Sequence, residues 1–174
     1  LYGTPYYLTI EERDKVYAVD LSDRPDLAEY RDMFIFQCMV GCRHGDLVTF
    51  TPENIINGVL EYIPIKTINK VARNVRVPLT DKAQAIFEKH NHGAGLPLFP
   101  MHFNFKFNEE EKRPLYEVAT SHMARRTFIG NLYKQVKDPN LVASMSGHAN
   151  GSQAFSRYRA IDDDMKRDLV GLIQ

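Results

Sequence analysis

The chain has little of what would mark it as a membrane, secreted or strongly basic protein. No apolar stretch in its 174 residues approaches the roughly eighteen needed to span a bilayer, and no signal peptide is expected. A membrane location is therefore not expected. Charge of one sign is missing too: 22 Lys and Arg balance 22 Asp and Glu. That excludes a surface that is basic all over, because phosphate neutralisation supplies most non-specific nucleic-acid affinity. A local basic face is still allowed. Basic residues gather at 66–76 and 122–126, whereas acids cluster at Glu109-Glu110-Glu111 and Asp162-Asp163-Asp164. Any affinity of this piece alone for DNA is expected to be weak.

Cysteine is scarce. Cys38 and Cys42 are the only two, four residues apart on a predicted helix, a spacing that staples nothing. A reducing cytoplasm and two buried free thiols are expected. Cys38, Cys42 and His44 lack a fourth ligand at regular spacing, so no metal site is expected. His90 and His92 lie in an Asn/Gly-rich stretch and read as a solvated loop. Repeats and low-complexity tracts are absent.

What remains is an ordinary globular composition, 44% hydrophobic and 25% charged, of a length that suits one domain. A chain that begins at Leu1 without methionine is expected to be part of something longer. Thr9-Ile10-Glu11-Glu12 is a capping box predicting a helix from Ile10 to about Val19. A second helix starts near Ser22, Asp23 and Pro25. Its apolar residues, Leu27, Phe34, Cys38 and Met39 among them, recur at helical spacing to Val40, and Gly41 ends it. Arg43 then falls in a turn, with Leu47 and Val48 on a short helix after it.

From Asn54 to Leu79 the period changes to two. Val59 to Pro64 reads as one strand and Val75 to Leu79 as its return, joined by a polar loop over 67–73. Thr80-Asp81 caps a helix over Lys82 to Lys89, and Leu98-Phe99-Pro100 forms a short buried anchor. Residues 106–114 read as charged surface. Ser121 caps a helix that puts His122 and Arg125 on one face. Further helices are predicted from Pro139 to Met145, Ser152 to Tyr158 and Asp162 to Leu172. The fold class is α+β, mainly α, with a small antiparallel sheet.

Six residues share one chemistry. Arg43 and Arg125 can give parallel hydrogen bonds to non-bridging phosphate oxygens and favour a five-coordinate transition state. A carboxylate three residues on, Asp46, is placed to hold the Arg43 side chain. Lys66 can donate a proton to a departing oxygen. His122 can take the proton of a phenol or hydrogen-bond the phosphate, and His148 follows Gly147, whose missing side chain admits close approach. Tyr158 can attack phosphorus once its proton, held until about pH 10 in an unperturbed phenol, is removed or shared. Arg126 points about 100° away from Arg125 around the helix and suits a salt bridge or a backbone contact.

In order, Gly41-Cys42-Arg43-His44-Gly45-Asp46-Leu47, Ser121-His122-Met123-Ala124-Arg125-Arg126-Thr127-Phe128, Ser146-Gly147-His148 and Arg157-Tyr158 resemble the catalytic domain of the tyrosine recombinase (phage integrase) family. The resemblance runs from about Leu8 to the C-terminus. It implies the family order of arginine, hairpin lysine, H-x-x-R, G-H and tyrosine. Counting forward from Arg43, Lys66 takes the lysine position, and Lys66-Thr67 is a frequent pairing there. Counting back from Val77-Pro78-Leu79 favours Lys70 instead, and Lys66 is preferred. One departure stands out: Gly-His to tyrosine is one residue longer than usual, and Gly151 is expected to absorb it.

The resemblance further implies a site-specific recombinase or integrase of a mobile element, in a prokaryotic cell or encoded by a phage. Residues 1–174 would form a single C-terminal catalytic domain, without the core-binding domain that precedes it in such proteins. The implied partner is double-stranded DNA, bound by a homo-tetramer that exchanges C-terminal segments such as the Asp162 to Leu172 helix. No metal and no nucleotide cofactor are implied. Type IB topoisomerase chemistry, or a catalytically silent DNA-binding relative, are the alternatives.

Overall fold

The computed structural model describes residues 7–67, 74–99 and 121–135, with Val142, Met145, Ser146, Val170 and Gly171 beyond them. The first helix, α1 (Ile10–Tyr17), begins at the expected capping box: the Thr9 hydroxyl accepts from the Glu12 amide at 3.1 Å, and the Glu12 carboxylate accepts from the Thr9 amide at 3.1 Å. It stops two residues short of Val19. Pro25 opens α2 (Pro25–Val40), where its missing N–H would have had no helical partner anyway. Leu27, expected on the apolar stripe, is exposed. From Asp32 onward almost every residue of α2 is buried. Helix α2 runs through the middle of the molecule, packed by neighbours on several sides, so its second half has no single apolar stripe. Both cysteines are free and buried, as the sequence implied.

Gly41 terminates α2 in the left-handed conformation, φ 73°, with its amide bonded to the Gln37 carbonyl at 2.8 Å. A short helix α3 (His44–Leu47) follows, capped by Arg43. Next comes a three-stranded antiparallel sheet ordered β1 (Ile55–Ile56), β2 (Val59–Tyr62), β3 (Val75–Pro78). The first turn is Asn57-Gly58, both at positive φ (52° and 73°), as a two-residue type I′ hairpin requires. Leu60 pairs with Val77 and Tyr62 with Val75, and these four side chains form the sheet's buried face. Strand β2 is shorter than predicted, giving way after Pro64 to a 3-10 turn, Ile65–Thr67. Lys70 and the rest of the 68–73 loop lie outside the described residues.

Helix α4 (Asp81–Lys89) starts where Thr80 accepts from the Ala83 amide. His90 corrects the sequence reading. It is the C-terminal cap of α4 and is buried, with Nε2 at 2.9 Å from the Asp32 carboxylate and its ring 5.0 Å from Phe99; only His92 is solvated. Leu98 and Phe99 form the predicted anchor. Leu98 donates to the Phe50 carbonyl, and Phe99 packs on Phe36 at 5.6 Å.

Helix α5 (Ser121–Gln135) packs along α2. The chain before α1 is strapped across it: Leu8 donates to the Thr127 hydroxyl, Asn131 donates to the Leu8 carbonyl, and the Tyr7 ring lies where a Cβ on Gly130 would sit. Val142, Met145 and Ser146 are helical; Val142 and Ser146 are buried. The expected surface segment 106–114, the acidic clusters, His148 and Tyr158 fall outside the described residues. The same holds for the final two helices apart from helical, exposed Val170 and Gly171. No described helix is long and apolar enough to cross a membrane.

Candidate active site

Four of the six predicted residues are described, and all four come from elements meeting at the C-terminal end of α2. Arg43 sits in the turn directly after Gly41. Arg125, only 6% exposed, reaches across from α5 and donates from Nη1 to the Gly41 carbonyl at 2.8 Å. This bond ties the second arginine to the backbone two residues before the first. The crossing is close: a Cβ on Gly41 would lie 2.0 Å from the Phe128 ring, so glycine is required by the contact as well as by φ.

Both guanidinium groups act on the same interior. Burial pushes the Tyr62 phenol far above its ordinary range, Cys42 and Asp46 add to the shift, and Arg125 and Arg43 oppose it. Burial likewise raises the Cys42 thiol, again opposed by Arg125. Cys42, Arg43, Asp46, Tyr62 and Arg125 therefore share one small electrostatic neighbourhood. The Tyr62 ring packs on Phe50 at 5.0 Å and walls one side of it.

Arg43 carries the decisive feature. Its Nη1 is buried and has no hydrogen-bond partner among the described residues. An orphaned charged donor costs several kcal/mol at the order-of-magnitude level if nothing answers it. Sequence reasoning assigned Asp46 to hold it, and the structure corrects that. Asp46 is buried with Oδ1 accepting the Ile65 amide at 3.0 Å, and no Arg43–Asp46 ion pair forms. The carboxylate instead fixes the turn after β2, because Ile65 precedes Lys66. Lys66 is exposed on that turn, one residue from the tether. His122 is exposed one helical turn before Arg125.

The described geometry thus gathers two arginines, one of them with an unanswered buried donor, with a tethered lysine-bearing turn and a histidine on the arginine's own helix. A cleft of about 540 Å³ also opens beside α2, lined by Tyr17, Asp20, Arg31, Asp32 and Lys89 among others. None of the predicted site residues lines it; Arg31 and Lys89 pair with Asp32, and Asp20 accepts from the Ser22 amide.

The phage integrase family model matches residues 7–165. The chain belongs to that family. No curated protein sequence matches the chain. Among solved structures it is similar to the Tn1549 transposon integrase in complex with circular intermediate DNA, at 16% identity and TM-score 0.59, over 88% of this chain and 60% of that one. It is also similar to XerH site-specific recombinase bound to palindromic difH substrate, a post-cleavage complex, at 15% identity and TM-score 0.61, over 96% of this chain and 53% of that one. The likeness establishes the tyrosine recombinase catalytic fold, mostly helical with a small antiparallel sheet. The chain spans about three-fifths of the transposon integrase and half of the recombinase.

The sequence His122-x-x-Arg125 lies on α5, Arg43 follows α2, and Lys66 follows β2. Two contributors were missed in the sequence. Tyr62 was read only as one position of an alternating strand, and Asp46 was given the wrong partner. A buried carboxylate accepting a distant backbone amide leaves no mark on a single sequence.

Proposed function

We propose that the protein cuts and rejoins double-stranded DNA at specific sites through a 3′-phosphotyrosine link, as the integrase or recombinase of a mobile element. The observation that carries this reading is the buried, unpartnered Nη1 of Arg43 beside the backbone-anchored Arg125. A non-bridging phosphate oxygen supplies what that donor lacks, and two fixed guanidiniums stabilise the charge that grows there as phosphorus becomes five-coordinate.

In the proposed reaction the Tyr158 oxygen attacks phosphorus while its proton passes to His122. The bond to the 5′ oxygen breaks, and Lys66 donates the proton that oxygen needs. His148 hydrogen-bonds a non-bridging oxygen. A 5′ hydroxyl then attacks the phosphotyrosine and gives its proton to Lys66, Tyr158 leaves and recovers its proton from His122, and the phosphodiester is restored. The bond energy stays in the covalent link, so the step needs no nucleotide and no metal.

As a further part of the proposal, residues 1–174 act as the C-terminal catalytic domain beside a core-binding domain, in a cytoplasmic homo-tetramer that exchanges C-terminal helices on DNA. The test is incubation with a nicked DNA site that traps the covalent adduct. An adduct is expected from the protein and none from Tyr158→Phe; an adduct that persists in Tyr158→Phe would remove the nucleophile from the scheme.

A further inference from the structure

We infer that Gln37 is a positioning residue for the phosphate clamp, holding the Arg43 turn and the His122–Arg125 helix in register through one buried amide. The inference rests on the strand-cleavage reading above and concerns how its two arginines are kept in place.

Gln37 lies in the last turn of α2 and is 2% exposed. Its Nε2 donates to the Cys42 carbonyl at 2.8 Å, and its Oε1 accepts from the Ser121 hydroxyl at 2.8 Å. Each contact touches the site by one covalent step. The Cys42 carbonyl belongs to the peptide that leads into Arg43, so fixing its direction fixes the start of that residue. Ser121 is the first residue of α5 and the immediate neighbour of His122.

Two successive carbonyls in the turn are thus gripped from different sides. Gly41 is held by Arg125 of α5, and Cys42 by Gln37 of α2, whose far end returns to α5. The result is a closed circuit: α2, the turn, Arg125, α5, Ser121 and back to α2. Only a group with both a donor and an acceptor at its tip completes it. Glutamate has no donor, methionine has neither, and asparagine is one methylene short. The amide cannot be reversed, because its oxygen would then face the Cys42 carbonyl, which only accepts.

Packing alone does not call for glutamine in this position. An apolar side chain would fill the same buried space without the cost of desolvating an amide. A fully satisfied polar bridge instead selects a single arrangement of the elements it joins. In strand cleavage that selection bears on rate, since reacting groups misplaced by about 1 Å lose on the order of a hundredfold.

The experiment is single-turnover cleavage of a nicked DNA site, with rate constant, final amplitude and DNA affinity measured separately. The variants are Gln37→Met, Ser121→Ala, Ser121→Thr and the double Gln37→Met/Ser121→Ala. Gln37→Met is expected to lower the rate constant about tenfold or more while amplitude and affinity stay within about twofold. Ser121→Ala is expected to lower it less, Ser121→Thr to restore it, and the double variant to be no slower than Gln37→Met alone. A wild-type rate in Gln37→Met, a loss confined to amplitude, or effects that simply multiply in the double variant overturns the inference. Should Gln37→Met not fold, the serine pair decides: equal rates for Ser121→Ala and wild type overturn it. Failure of the unmodified protein to form any adduct defeats the strand-cleavage reading itself, and with it this inference.

Discussion

The second half of α2 begins at a buried charge, Asp32, and leads into the turn of a half-buried one, Arg43, and the two are treated in opposite ways. Asp32 is 2% exposed and saturated: Lys89 lies at 2.9 Å, His90 at 2.9 Å and Arg31 at 3.3 Å. Burial alone would raise its pKa, but the hydrogen bonds from His90 and Lys89 outweigh it and bring the carboxyl to about 2. Arg43, eleven residues on, keeps a buried nitrogen with no partner among the described residues. The first charge is answered within the fold and belongs to stability. Under the proposed function the second is answered by a phosphate oxygen, so the completeness of satisfaction would separate scaffold from site within one protein.

The largest effect is expected at the unsatisfied end. Arg43→Ala should slow covalent adduct formation by about a thousandfold, the scale of losing a fixed donor to a developing oxyanion. Its melting temperature should hold or rise, because an unanswered buried donor is removed. A fall in melting temperature that matched the activity loss would erase the contrast. Lys66→Ala should slow cleavage by about a hundredfold or more if that lysine is the general acid, with Lys70→Ala near wild type. The reverse result would move the role to Lys70.

At the satisfied end the signs exchange. Asp32→Asn should cost on the order of 2 kcal/mol of unfolding free energy at pH 7, read by chemical denaturation, while cleavage below the melting range is preserved. Because the folded pKa of Asp32 lies below its unfolded value near 3.8, the folded state releases this proton first. Its stabilisation is therefore complete above about pH 4 and lost as pH falls toward about 2. A wild-type stability curve that matches Asp32→Asn through that interval would contradict the assignment. The smallest change belongs to Lys89→Met. Lys89 is 59% exposed, and its loss should cost under about 1 kcal/mol, with Arg31 and His90 still in place.

The sequence carried the scaffold wherever the cause was local. The Thr9–Glu12 box, Pro25, Gly41 and Thr80 each fix a helix end with atoms a few residues away, and the structure has them where expected. The Asn57-Gly58 hairpin was equally local and was overlooked inside a longer alternating stretch. Long-range pairings were not legible. Asp46 reaches the Ile65 amide, His90 reaches Asp32, and Gln37 reaches Ser121 across separations that no periodicity encodes. A signal existed in part: Asp32 and Gln37 interrupt an otherwise apolar half-helix, and polar residues in such places need partners. Leu27 misled for the converse reason, since the first turns of α2 lie outside the packing that encloses its later ones.

Under the proposed function, Arg43 neutralises one non-bridging phosphate oxygen. Replacing the scissile phosphate with a neutral methylphosphonate removes that oxygen's charge, and with it the need for the guanidinium. Cleavage of the two substrates by wild type and Arg43→Ala tests the claim most directly. The account predicts that Arg43→Ala, nearly inert on phosphate, recovers most of its adduct formation on methylphosphonate. Equal impairment on both substrates would show that Arg43 acts elsewhere.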